Sequence, residues 1–110
     1  MTFDEYQKIA PSTAINHPDP LMNLTIFMMG ISGEAGEVLE KWKKIVAYRE
    51  GLVTSEDRAE LGKELGDVVW YIAMAAKELG LSFDDIMQAN VQKLADRKAR
   101  NVQRGAGDNR

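Results

Sequence analysis

The stretch LMNLTIFMMGISGEAGEVLEKWKKIVAY, residues 21–48, contains no proline, and its apolar residues Leu24, Phe27, Met28, Ile31, Val38, Leu39, Trp42, Ile45 and Val46 recur mainly at spacings of three and four. That period predicts one long helix. Gly51 follows it as a stop, and Thr54 or Ser55 with Glu56 and Asp57 opens a further helix that runs through Leu61, Leu65, Val68, Val69, Ile72, Ala76 and Leu79 to Gly80. Ser82 caps a last helix with acidic Asp84 and Asp85 in its first turn and Phe83, Ile86, Met87, Val91 and Leu94 as its apolar stripe. On the N-terminal side, Thr2 and Glu5 form a capping-box pattern for a first helix that ends near Pro11, and residues 11–20 are read as a loop. No segment alternates with a period of two, so the fold class is all-α, and short connections favour an antiparallel four-helix-bundle-like arrangement.

The chain has 110 residues, 45% of them apolar and 28% charged, which suits a single domain spanning residues 1–110. Residues 101–110 have no helical face and are read as a flexible or interface tail. No cysteine is present, which removes disulfides, thiolate metal sites and cysteine nucleophiles together. With no apolar run approaching bilayer length and an acidic, polar N-terminus, the expectation is a cytoplasmic protein that does not meet membranes. A bundle this short has a modest core, so exposed apolar residues such as Met29, Trp70 and Tyr71 are expected to be covered by a second subunit in a homodimer or homotetramer.

Charge is divided unevenly. Six basic residues against two acidic ones give +4 for Asn90–Arg110, and 8 basic against 15 acidic give −7 for Met1–Ala89. An acidic body repels a phosphate polymer, so no nucleic-acid partner is expected. A small phosphorylated ligand bridged to carboxylates by a cation would use both halves.

Two tetrapeptides supply the carboxylates: Glu34-Ala35-Gly36-Glu37 on the long helix, and Glu64-Leu65-Gly66-Asp67 on the next. Acids at i and i+3 share a face of a helix. At a rise of roughly 1.5 Å per residue the chain descends about 16 Å from Glu37 to Tyr48 and climbs about 14 Å from Ser55 to Glu64, so an antiparallel hairpin brings the two pairs level. Four facing carboxylates repel one another, and each motif also carries a mid-helix glycine that costs roughly 1 kcal/mol relative to alanine. A hard divalent cation would relieve the repulsion. Oxygen donors without cysteine or a placed histidine select Mg²⁺, with Mn²⁺ as a possible substitute. The glycines would leave room for close helix approach or for a ligand. Glu40 and Glu60 extend the acidic stripes by one turn and are read as solvated surface.

Asn90, Lys93 and Arg97, at i, i+3 and i+7, form one stripe of the last helix and offer amide, ammonium and guanidinium donors to a phosphate chain. Tyr71, one turn after Asp67, is a candidate to stack on a base or to be buried at a subunit contact. Trp42 is expected in the core, the methionines as core or interface filler, and Lys41, Lys43 and Lys44 as a solvated face. His17, the one histidine, lies in the Pro-rich loop, where a bland surface reading outweighs a turn or ligand-lid role, and one loop histidine cannot supply the Glu-x-x-His pairs of a di-iron bundle.

The runs GISGEAGEVLEKWKK (30–44) and KELGDVVWYIA (63–73), followed by Asn90-x-x-Lys93-x-x-x-Arg97, resemble the signature of the MazG-like all-α nucleoside triphosphate pyrophosphohydrolases. Gly33 stands where the longer form of the motif has a Glu, and the short, phage-type form lacks that acid too. The resemblance implies Mg²⁺ held by Glu34, Glu37, Glu64 and Asp67, Glu34 or Glu37 as the base for water, and cleavage of an NTP or dNTP between the α and β phosphates. Arg104 and Arg110, in a tail resembling the GDNR endings of phage-type relatives, either close over phosphate or dock on a neighbouring subunit. The alternative is a noncatalytic helical module that keeps the metal site to bind nucleotide or a partner.

Overall fold

A computed structural model describes all of residues 1–110 and has helices α1 (Phe3–Ile9), α2 (Pro20–Arg49), α3 (Ser55–Glu78) and α4 (Phe83–Ala99), with a short 3₁₀ turn at Ala10–Thr13. There is no strand. None of the helices is long and apolar enough to cross a membrane.

Each helix starts where a side chain can satisfy its free amides. Thr2 and Glu5 close a reciprocal capping box on α1, and Thr54 and Asp57 do the same on α3. Asp19 accepts from the Leu21 amide at the head of α2, with Pro20 at the first position, where its missing N–H costs nothing. Ser82 accepts from the Asp85 amide and caps α4. At the other end of α2 the chain turns through two left-handed residues, Glu50 at φ 55° and Gly51 at φ 78°. His17 serves the turn before α2: its Nδ1 accepts from the Asp19 amide at 3.0 Å, and its own amide donates to the buried Asn23.

The frame is the antiparallel α2–α3 hairpin, with α1 and the 3₁₀ turn packed on the end where α2 starts and α3 finishes. There the core consists of Ala10, Phe27, Met74 and Ala75, flanked by Tyr6, Leu24, Ile31, Trp70 and Tyr71. Trp70 stands edge-on to Phe27 at 5.9 Å and to Tyr71 at 4.9 Å, and its indole N–H donates to the Ala10 carbonyl at 3.1 Å. Trp70 and Tyr71, expected to be exposed, are half-buried against their own chain.

Helix α4 is attached through α1. The Asp4 carboxylate accepts from the Ser82 hydroxyl at 2.8 Å and the Asp84 amide at 3.0 Å, and Gln7 bonds both the Leu81 carbonyl and the Phe83 amide. The backbone amide of Asp84, the Ser82 hydroxyl and nearby Lys8 hold the Asp4 carboxyl below its ordinary value. Past this joint α4 diverges, and none of its Cα atoms comes within 8 Å of α2. The radius of gyration is 16.9 Å, against roughly 13 Å for a compact chain of this size. The far half of the α4 stripe is therefore open, Leu94 being 52% exposed, as is the outer face of α2, where Leu39 is 67% exposed. Trp42, expected in the core, is 43% exposed, because the hairpin turns that side of α2 away from α3 with nothing packed over it. Of the methionines, Met74 is in the core, while Met22, Met28 and Met29 face outward.

Candidate functional site

The two acidic tetrapeptides meet across the hairpin, as their distances from the α2–α3 turn require. Glu34 from α2 and Glu64 and Asp67 from α3 each offer a carboxylate oxygen, and these three atoms lie within 4.8 Å of one another. Glu34 and Glu64 are half-buried and Asp67 is exposed. Partial burial first, then the charges of Asp67, Glu64 and Glu37, hold the Glu34 carboxyl above its ordinary value of 4.5. Glu37 is thus within electrostatic reach of Glu34, but it stands outside the converging three.

One cation answers this charge. Lys41, a turn beyond Glu37 on α2, places its ammonium 3.1 Å from Glu64 and 3.3 Å from Glu60, and those two carboxylates hold its pKa above the ordinary value. The expected solvated face therefore describes Lys43 and Lys44, whose exposed ammonium groups reach only Glu40, but not Lys41. Glu60 is shared between Lys41 and Lys63 on the surface.

Beside the acids is a cleft of about 330 Å³ lined by Thr13, Glu34, Asp67, Trp70 and Tyr71. Tyr71 reaches it because Gly30 has no side chain: the tyrosine ring lies across that glycine, and a Cβ there would overlap it. By contrast, a Cβ on Gly33, Gly36 or Gly66 would meet nothing within 4 Å. The glycines of the two acidic motifs therefore do not serve close helix approach; each fronts open space. Thr13, Gly30, Trp70 and Lys41 are the site neighbours that sequence reasoning missed. Only Gly30, a glycine in the middle of a helix, carried any signal.

Asn90, Lys93 and Arg97 do form one stripe of α4, with Asn90 and Lys93 half-buried and Arg97 6% exposed. Because α4 does not approach α2, this stripe and the acids of α2 are not brought together within one chain. The groups facing Lys93 and Arg97 come from the C-terminal tail.

Residues 23–102 match the family model for the MazG nucleotide pyrophosphohydrolase domain. The chain belongs to this family. It is also 44% identical, over 115 aligned positions covering all of both chains, to a protein of Mycobacterium phage L5 named "Gene 37 protein". No solved structure matches it. For a MazG-domain chain the matched span takes in both acidic tetrapeptides and the α4 stripe, and leaves out α1 and most of the tail.

Proposed function

We propose that this chain is a Mg²⁺-dependent pyrophosphohydrolase that cleaves a nucleoside or deoxynucleoside triphosphate between the α and β phosphates, giving a monophosphate and pyrophosphate. The observation that carries this reading is the convergence of Glu34, Glu64 and Asp67 from two facing helices. Three carboxylates without a nitrogen or sulfur donor suit a hard cation, Mg²⁺ or in its place Mn²⁺, and their mutual repulsion, offset only by Lys41, favours taking one up. Bound there, the ion would neutralise phosphate charge and make an attacking water more acidic.

The chain's own groups do the rest. Glu37, three residues from Glu34 and outside the converging three, is the carboxylate left free to take the proton of the attacking water, with Glu34 as the alternative base. The Tyr71 ring, in the wall of the cleft, offers a stacking face for a base. Asn90, Lys93 and Arg97 donate to the phosphate chain.

In this reading residues 1–110 act as one MazG-type domain with 101–110 as its tail, and two or four copies assemble in the cytoplasm. Assembly would cover Leu39, Trp42 and Leu94, and it would bring the α4 stripe of one copy to the acids of another. A panel of NTPs and dNTPs incubated with Mg²⁺, with products separated by chromatography, tests the reaction. Monophosphate with pyrophosphate is expected. Diphosphate with orthophosphate would overturn the reading, and no turnover of any member would favour a binding module.

A further inference from the structure

The C-terminal residues 101–110 form a built loop. The Arg110 guanidinium donates to the main-chain oxygens of Val102 at 3.1 Å and Gln103 at 2.9 Å, and to that of Gly107. Arg100, at the end of α4, donates to the main-chain oxygen of Arg110 at 2.7 Å. Gly105 and Gly107, at φ 147° and 83°, make the reversals that a side chain would resist. This closure carries Asp108 back onto α4, where its carboxylate accepts from the Lys93 ammonium at 3.0 Å and the Arg97 guanidinium at 3.1 Å. Its main-chain oxygen accepts from the same Arg97 nitrogen.

Asp108 thus presents one carboxylate oxygen to both cations of the stripe and its main-chain oxygen to Arg97, so a single anionic oxygen bridges the ammonium and the guanidinium as a phosphate oxygen would. The Asp108 side chain is 79% exposed, and its pair with the partly exposed Lys93 contributes little. Arg97, by contrast, is buried, and its Nε has no partner, so the guanidinium has donor capacity that the tail leaves unused. Lys93 first, then Arg97, holds the Asp108 carboxyl below its ordinary range, so it is charged wherever nucleotides are.

We propose that Asp108 is an internal competitor for phosphate: the C-terminal loop is a latch that occupies Lys93 and Arg97 and is displaced when a polyphosphate binds. This rests on the reading of Lys93 and Arg97 as phosphate donors. Asp108→Asn keeps the shape and removes the charge, so the stripe should take inorganic pyrophosphate more tightly, by roughly two- to fivefold, the worth of an exposed ion pair.

Calorimetric titration of the assembled protein with inorganic pyrophosphate in Mg²⁺, for wild type, Asp108→Asn and Lys93→Ala, tests it together with amide hydrogen exchange of residues 102–110. The expected result is tighter binding by Asp108→Asn, weaker binding by Lys93→Ala, and faster exchange in the wild-type loop once pyrophosphate is bound. If Lys93→Ala weakens binding but Asp108→Asn binds equally or less well, the carboxylate positions the cations instead of competing, and the latch is wrong while the phosphate reading stands. If Lys93→Ala binds like wild type, the stripe is not a phosphate site, and both fall.

Discussion

The ammonium of Lys41 stands 3.1 Å from a carboxylate oxygen of Glu64, so the acidic centre carries its own counter-charge, supplied from the facing helix. A divalent cation drawn to Glu34, Glu64 and Asp67 competes with Lys41 for Glu64, and Glu60, 3.3 Å from the same ammonium, is the group that keeps it. Lys41→Met should lower the melting temperature of the metal-free protein and tighten Mn²⁺ binding by roughly two- to fivefold, the scale of one exposed ion pair. Titration calorimetry with Mn²⁺ checks this, and weaker binding by the variant would show that Lys41 helps to hold the site in shape.

Glu34 provides a pH test. Its folded-state pKa lies above the ordinary 4.5, so the native state holds the proton longer than the unfolded chain, and stability falls as pH rises from 4.5 through the raised value. Metal-free Glu34→Gln should therefore match wild type at about pH 4 and melt at the same or a higher temperature at about pH 7. Thermal unfolding in EDTA across that range measures it. A variant whose disadvantage grows with pH would mean that the Glu34 charge is compensated, not repelled.

The glycines of α2 should separate by role. Gly30→Ala drives a methyl into the Tyr71 ring and should cost about 2 kcal/mol or more. Gly36→Ala meets nothing within 4 Å and should stabilise the helix by up to about 1 kcal/mol, slowing turnover only where a ligand takes the open space it fronts. Denaturant unfolding with steady-state rates distinguishes them. A stabilised Gly36→Ala protein at the wild-type rate would show that this space is not used.

At the far end of the hairpin Arg49 donates to Asp57 at 2.7 Å, tying the end of α2 to the capping box of α3. Arg49 first, then the Thr54 amide, pulls the Asp57 carboxyl well below its ordinary 3.8. This depressed value contributes stability that is present above 3.8 and lost as pH falls below it. Asp57→Asn should melt below wild type at about pH 7, with the gap closing as wild type is acidified below 3.8. A gap constant with pH would assign the loss to shape instead of charge.

The helices and the level of the two acid pairs were legible because both rest on local rules. Thr2, Thr54 and Ser82 cap whatever their surroundings, and a fixed rise per residue places Glu34 opposite Glu64 and Asp67 once the hairpin is antiparallel. What was not legible depends on which face meets which partner. Trp42 and Trp70 both fall in apolar periodic runs, yet Ala10 and Phe27 cover only Trp70. Val91 and Leu94 continue the α4 stripe, but α4 is set by Asp4 and Gln7 on α1 and leaves the hairpin uncovered. Lys41 and Asp108 carried no signal because their partners are 23 and 11 to 15 positions away, across a turn that periodicity does not describe.

In the proposed reaction the carboxylates shared between α2 and α3 support metal-dependent cleavage between the α and β phosphates. The most direct measurement is pyrophosphate release from a nucleoside triphosphate, titrated with Mg²⁺, for wild type and Asp67→Asn. No release is expected in EDTA, with restoration by Mg²⁺ and a loss of about 100-fold or more in Asp67→Asn with helix content unchanged. An Asp67→Asn protein that releases pyrophosphate at the wild-type rate, or a wild type indifferent to EDTA, would contradict it.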